Sequence, residues 1–269
     1  MSSWAEGERF GGWRLDGLIA AGGLGEVWRA EREGVTAALK RMHTHLTRMP
    51  EALELFALEQ RLTTELPPHP GVVRALEVGD VDGRPYLAME LAPGGDLRRL
   101  IEPSAGAGPT RLPRARALAI VAAACDAAAH LHAHGWVHGD LSPSNLIVDE
   151  AGDRVVLVDL GVARRAGTGG PVRGSHAYMA PEQVRGGAWT PATDVFALGV
   201  VLWELVAGER LFHRGPPWLS QAAVIEAEAP PLADPDLDAI AQAALAKDPA
   251  RRTASAAALA ERLRGSRGR

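Results

Sequence analysis

Two short stretches hold most of the side chains in this chain that could do chemistry. The first is Trp136-Val-His-Gly-Asp140-Leu-Ser-Pro-Ser-Asn145-Leu-Ile-Val148, and the second is Val155-Val-Leu-Val-Asp159-Leu-Gly161. Each borders an apolar run of strand length, so two carboxylates and one amide sit at strand edges. Such a set offers oxygen ligands for a divalent cation and one acceptor for a hydroxyl proton. Mg²⁺ takes few protein oxygens and fills its other positions with phosphate and water, which suits Asn145 and Asp159.

A third stretch, Ala20-Ala-Gly-Gly-Leu-Gly25 followed by Glu26-Val27, places glycines where a hairpin could come close to phosphates and lend them backbone N–H groups. No Gly-Lys-Ser/Thr follows, so it is not a Walker A loop. A glycine turn without a ligand is the plainer alternative. Lys40 ends an Ala-Ala-Leu-Lys run fifteen residues after Gly25 and could bring an ammonium to the α- and β-phosphates. Lys40 and Lys247 are the only lysines among 29 Lys+Arg residues, and Asn145 is the only asparagine. A chain that writes arginine nearly everywhere else makes a merely decorative Lys40 less natural. Glu59, on a helix that follows, could pair with Lys40 or be one more solvated glutamate.

These groups need a scaffold. Alternation from Trp13 to Ala38, with Leu15, Leu18, Val27, Trp28, Val35 and Leu39 as anchors, predicts an antiparallel hairpin around the glycine turn. Pro50 opens a helix with leucines at 55, 58, 62 and 66, and Pro67-Pro68 stops it. Strands follow at Val72–Val78 and Tyr86–Leu91, with a turn at Asp82-Gly83. Helices are predicted at Leu118–His134, Thr193–Ala207, Gln221–Ala227 and Leu237–Ala246, and strands at Leu146–Val148 and Val155–Val158. The fold class is therefore α+β: a β-rich lobe with one main helix over residues 1–91 and a larger helical lobe over 92–264. Residues 103–113 read as a loop, and 265–269 as a disordered tail.

Composition narrows the function classes. With 269 residues, 46% of them hydrophobic, the chain can bury a large core, and a net charge of −4 gives no basic footprint for nucleic acid. No run approaches the roughly 18 apolar residues of a membrane span, and the first ten residues lack the apolar core of a signal peptide. Cys125 is the only cysteine, so no intrachain disulfide forms and a reducing, cytoplasmic setting is expected.

Taken in order, these motifs resemble the eukaryotic-type protein kinases found in bacteria as Ser/Thr kinases, over about residues 10 to 263. Met179-Ala-Pro-Glu182, Asp194-Val-Phe-Ala-Leu-Gly199 and Lys247-Asp-Pro-Ala-Arg-Arg252 extend the resemblance to the scaffold. It implies a bilobal fold, ATP and Mg²⁺ as cofactors, and transfer of the γ-phosphoryl group to Ser/Thr hydroxyls of protein substrates. Ala20, Gly22, Gly25, Val27, Ala38, Lys40, Met89, Glu90, Ala92 and Leu146 would bind the nucleotide, with Met89 as gatekeeper and Glu90 to Ala92 as the hinge. Lys40, paired with Glu59, and Asp140, orienting the hydroxyl and taking its proton, would be catalytic. Asn145 and Asp159 would hold Mg²⁺, and Arg252 would pair with Glu182. Autophosphorylation, with Thr168, Ser175 and Tyr178 as candidates, would bring two copies together as a dimer.

The chain departs from the family at Ala20, where a glycine is usual; at Gly139, where many kinases carry an arginine that binds a phosphorylated loop; at Ser142, usually a lysine; and at Leu160, usually phenylalanine. Gly139 and Ser142 motivate a second reading, a pseudokinase acting as a nucleotide-binding regulatory scaffold. His138-Gly-Asp140 motivates a third, a small-molecule kinase, against which the Glu182 and Arg252 elements argue.

Overall fold

A computed structural model describes residues 7–101, 111–149 and 154–266. Backbone contacts group the chain into two units: residues up to Pro68 with Val73–Ala92, and His69–Val72 with 93 onward.

The first unit is a curled antiparallel sheet with one helix. Its strands are β1 (Arg9–Phe10), β2 (Trp13–Ala21), β3 (Gly25–Arg32), β4 (Val35–Met42), β5 (Ala75–Val81) and β6 (Arg84–Glu90), ordered β1-β2-β3-β4-β6-β5. Two hairpins close through Glu33-Gly34 and Asp82-Gly83, whose φ angles are all positive, the geometry that two-residue turns need to match strand twist. Alternation sends Trp28, Leu39 and Ala88, which lie opposite one another, into a core with Phe10, Trp13 and Leu15. Three anticipated anchors fall outside it: Val27 lies on the opposite face, while Val35, which begins its strand, and Leu18, between two β-bulges, are exposed.

Helix α1 (Pro50–Glu65) starts with proline at its first turn, where a missing N–H costs nothing. Its buried stripe is Ala52, Phe56, Glu59 and Thr63, joined by Leu62, while Leu55, Leu58 and Leu66 are only half-buried. The leucine spacing pointed to a neighbouring face. The stripe actually buried is the one that carries Glu59 inward.

The second unit contains β7 (Gly95–Asp96), α2 (Leu97–Ile101), α3 (Arg114–Ala133), β8 (Trp136–Val137), β9 (Leu146–Val148), β10 (Val155–Leu157), β11 (Arg164–Arg165), α4 (Pro181–Val184), α5 (Pro191–Ala207), α6 (Pro217–Glu226), α7 (Pro235–Ala244) and α8 (Ala256–Gly265). Helix α5 is its axis: every residue from Thr193 to Val206 is buried. Strands β10, β9 and β7 form one small sheet, and β8 pairs with β11. His69–Val72 belongs here because Val72 bridges Leu157, whose N–H donates to the Gly71 carbonyl at 2.8 Å.

Three helices were not anticipated, α2, α4 and α8. The last is capped by Ser255, whose hydroxyl accepts the Ala258 N–H at 3.1 Å. It runs through Gly265, and the buried Ser266 accepts hydrogen bonds from Arg114, so the tail read from 265 starts inside the fold. Residues 267–269 and most of the loop read at 103–113 lie outside the described residues.

Candidate active site

Strand register gathers the nucleotide-binding candidates of the first unit. Ala20 lies opposite Val27, Val27 opposite Lys40, and two residues before Lys40, on the same face, Ala38 lies opposite Met89. Ala20, Val27, Ala38, Lys40 and Met89 therefore share the face opposite the hydrophobic core. Met89 is buried, Glu90 exposed and Ala92 half-buried, and the Glu90 N–H donates to the Arg74 carbonyl at 3.0 Å. The glycine turn closes with Gly22 N donating to Gly25 O at 2.9 Å. Gly25 is packed so closely on the Arg41 carbonyl that any Cβ would overlap it.

Lys40 Nζ lies 2.9 and 2.7 Å from the two carboxylate oxygens of Glu59. Lys40 is 7% exposed and Glu59 1%, so each charge helps to offset the burial of the other.

In the second unit, Asp140 and Asp159 lie outside helix and extended strand, and Asn145 closes the single 3-10 turn Pro143–Asn145. The buried Asn145 donates Nδ2 to the Asp140 carbonyl at 2.8 Å and to Asp140 Oδ2 at 3.1 Å. That fixes the amide so that its oxygen is the group left for a ligand. Asp140 Oδ1 accepts the Ser175 N–H at 2.8 Å. Burial raises the Asp140 carboxyl above its ordinary range, and Asp159 adds to this, against the Ser175 bonds and His138, which lower it. Val158 N donates to Asn145 O at 3.0 Å, which ties the strand before Asp159 to the asparagine. Asp159 itself is exposed and has φ +62°, an unusual conformation for a residue other than glycine. One neutral amide oxygen and one exposed carboxylate form a donor set suited to Mg²⁺. Leu146, also named for nucleotide binding, is fully buried at the start of β9.

The loop that carries Asp140 is anchored by a residue that the sequence marked only as scaffold. Asp194, buried at the start of α5, accepts the His138 and Gly139 N–H groups at 2.8 Å each and the His132 Nε2–H at 2.8 Å. Burial alone would raise its carboxyl, but these partners hold it below the ordinary range. His138 joins the two motif loops, accepting Asp140 N–H at Nδ1 and donating from Nε2 to the Val158 carbonyl, both at 3.2 Å.

A family model described as the protein kinase domain matches residues 13–263. The chain belongs to the protein kinase family. Serine/threonine-protein kinase PknA of Mycobacterium tuberculosis is 35% identical over 267 residues, covering 93% of this chain and 60% of PknA. DNA damage-responsive serine/threonine-protein kinase RqkA of Deinococcus radiodurans is 36% identical, covering 93% of this chain and 39% of RqkA. A relative named tyrosine-protein kinase MasK, from Myxococcus xanthus, is 34% identical, covering 94% of this chain and 43% of MasK. The chain thus spans 60% or less of the length of these relatives. Membership in the family implies the use of ATP and Mg²⁺.

The departures of this kinase domain from its family have local causes. Gly139 has φ +75°, and a Cβ there would run into the Trp189 indole. Trp189 fills the room that an arginine would need at position 139, and Arg164 stacks over it with its guanidinium carbon 5.2 Å from the ring centre. Ser142 is fully buried and accepts the Ser175 hydroxyl at 3.1 Å, so it joins the Asp140 loop to the segment before Tyr178. Gln183 closes the same junction, donating to the Gly139 carbonyl and accepting the Ala180 N–H, both at 2.8 Å. Trp189 and Gln183 were not singled out from the sequence; each lies more than forty residues from the loop it supports, with no spacing to betray it. Arg252 meets Glu182 in a two-pronged pair, 2.7 Å in each prong. Tyr178, named as a phosphorylation candidate, is instead a core residue whose hydroxyl bonds Glu204 at 2.6 Å.

Proposed function

We propose that the chain is an ATP-dependent Ser/Thr protein kinase domain that transfers the γ-phosphoryl group to protein hydroxyls, its own included. The observation that carries this reading is the Asp140 carboxylate. It is buried enough to be raised in basicity, aligned by Asn145, and in direct contact with Ser175 on the segment that family resemblance assigns to substrate. The motives for a pseudokinase reading weaken once Gly139 is explained by Trp189 and Ser142 by Ser175.

Lys40, held by Glu59, binds the α- and β-phosphates, and the face formed by Ala20, Val27, Ala38 and Met89 takes the nucleoside. Asn145 and Asp159 would hold Mg²⁺, which would supply positive charge to neutralise the phosphates. Asp140 orients the incoming hydroxyl; as its oxygen bonds to the γ-phosphorus, the bond to the β-bridging oxygen breaks, ADP leaves, and the hydroxyl proton passes to the Asp140 carboxylate. Thr168, exposed, with its hydroxyl bonded only to the nearby Arg165 carbonyl at 2.7 Å while its backbone carbonyl accepts the Trp189 N–H at 2.9 Å, is the autophosphorylation site, reached in a transient dimer. No helix among the described residues is long and apolar enough to cross a membrane. The buried thiol of Cys125, raised by desolvation, takes part in no disulfide, in keeping with a cytoplasmic domain.

Incubation with γ-labelled ATP, Mg²⁺ and a general protein substrate, followed by phosphoamino-acid analysis, tests the reading. Label on serine or threonine supports it, and label confined to tyrosine overturns the hydroxyl preference. Absence of label despite ATP binding returns the chain to a scaffold role.

A further inference from the structure

Residue 43 sits just beyond β4 and is absorbed by none of the roles above. Two carbonyls of the glycine turn are nevertheless tied to it. The His43 N–H donates to the Leu24 carbonyl at 3.0 Å, and the His43 ring donates from Nε2 to the Gly22 carbonyl at 2.9 Å. A carbonyl can only accept, so Nε2 carries the proton, as it does in one neutral tautomer and in the imidazolium alike.

A trans peptide points its N–H opposite to its C=O. Fixing the carbonyls of Gly22 and Leu24 toward residue 43 therefore turns the N–H groups of Gly23 and Gly25 away from it, both to the same side. Gly22 N donating to Gly25 O at 2.9 Å closes the turn behind them. Gly25 rests directly on the Arg41 backbone, so that end of the turn cannot slide. Below it, Glu26 accepts from Trp28 Nε1 at 3.1 Å and from Arg41 at 2.9 Å. The Gly22–Gly23 peptide has no such backing, because nothing but the Gly25 carbonyl lies within 4 Å of the Cβ position of Gly22, and nothing at all lies that near for Gly23. Its orientation rests on the His43 ring, which in turn stacks on His45 with centroids 5.4 Å apart.

We propose that His43 is a positioning residue for the nucleotide phosphates: its ring sets the Gly22–Gly23 peptide so that the Gly23 N–H, beside that of Gly25, is presented as a preformed anion donor. The inference rests on the kinase reading and adds to it the part of the chain that prepares the glycine turn. A turn already oriented costs less to order when the phosphates arrive, so the gain falls on phosphate binding and not on the nucleoside.

The test is calorimetric titration of the full chain with ADP·Mg²⁺ and, separately, with adenosine, in wild type, His43→Ala and His43→Gln. One lost orienting hydrogen bond predicts ADP·Mg²⁺ binding weakened about five- to tenfold by His43→Ala. Adenosine binding should stay within about twofold, and most of the ADP affinity should return with Gln, whose amide reaches as far as Nε2. Should His43→Ala not fold, the same contrast is read between Gln and Asn, whose amide is too short. Unchanged ADP affinity, equal loss for ADP and adenosine, or failure of Gln to restore binding would each overturn the proposal. A wild type that binds ADP·Mg²⁺ more tightly than adenosine but transfers no phosphate sinks the kinase reading alone. A wild type that gains nothing from the phosphates sinks this one.

Discussion

In the first unit, Ala20, Val27, Ala38, Lys40 and Met89 share a face because antiparallel register puts them there, and Glu59 meets Lys40 because a helical stripe carries it inward. In the second, Asp140 and Asp159 sit in short loops and Asn145 in a single 3-10 turn, with no extended hydrogen-bond ladder to shape them. Asp194, His138, Ser175, Gln183 and Trp189 supply that shape one contact at a time. Regular elements spread the work of positioning over many backbone bonds, whereas the loops concentrate it in a few buried side chains. Removal of one such side chain should cost the second unit more than a comparable loss costs the first.

The contrast breaks most sharply at Asp194. Asp194→Ala strands three buried donors at once, and urea denaturation should show a loss of about 4 kcal/mol. In the first unit, Lys40→Met removes the cation paired with the buried Glu59 carboxylate, and about 3 kcal/mol is expected in the same assay. An equal or larger loss for Lys40→Met would remove the distinction between the units. A smaller effect, about 2 kcal/mol, is expected when Gly139→Arg forces a side chain into a left-handed backbone against Trp189. Adding Trp189→Ala should recover part of that loss, a non-additivity that independent sites would not show.

The subtlest expectation concerns pH. Asp140 must be ionised to accept a proton, and burial holds its carboxyl above the ordinary range. kcat/KM should therefore fall, as pH is lowered, at a higher pH than an exposed aspartate would give. Asp194 titrates with the opposite sign. Its carboxyl is depressed, so the stability it contributes is present at neutral pH and is lost as pH falls from the unfolded value through the lower folded one. A rate profile with its acid limb at an ordinary carboxylate value would argue against the burial of Asp140.

Much of the first unit was legible in the sequence because alternation and glycine turns report local geometry. The glycine hairpin, Lys40 and the Asp82-Gly83 turn follow from pattern alone. Helix α1 shows where this fails: leucines at 55, 58, 62 and 66 form the more conspicuous stripe, yet tertiary packing buries the one with Phe56 and Glu59. In the second unit the motif residues could be named, and Lys scarcity and the lone Asn drew attention to Lys40 and Asn145. What holds the loops could not be read, because Gly139 and Trp189 are fifty residues apart and only folding makes one the reason for the other. Helix α8 escaped because its alanine-rich turns give little contrast between buried and exposed faces.

Single-turnover transfer from γ-labelled ATP, measured alongside nucleotide affinity in wild type and Asp140→Asn, tests the central claim most directly. The account predicts that the variant loses about a thousandfold in transfer while ATP·Mg²⁺ affinity stays within about twofold, because the acceptor of the proton has gone and the phosphate-binding groups have not. Transfer by Asp140→Asn at the wild-type rate would contradict it.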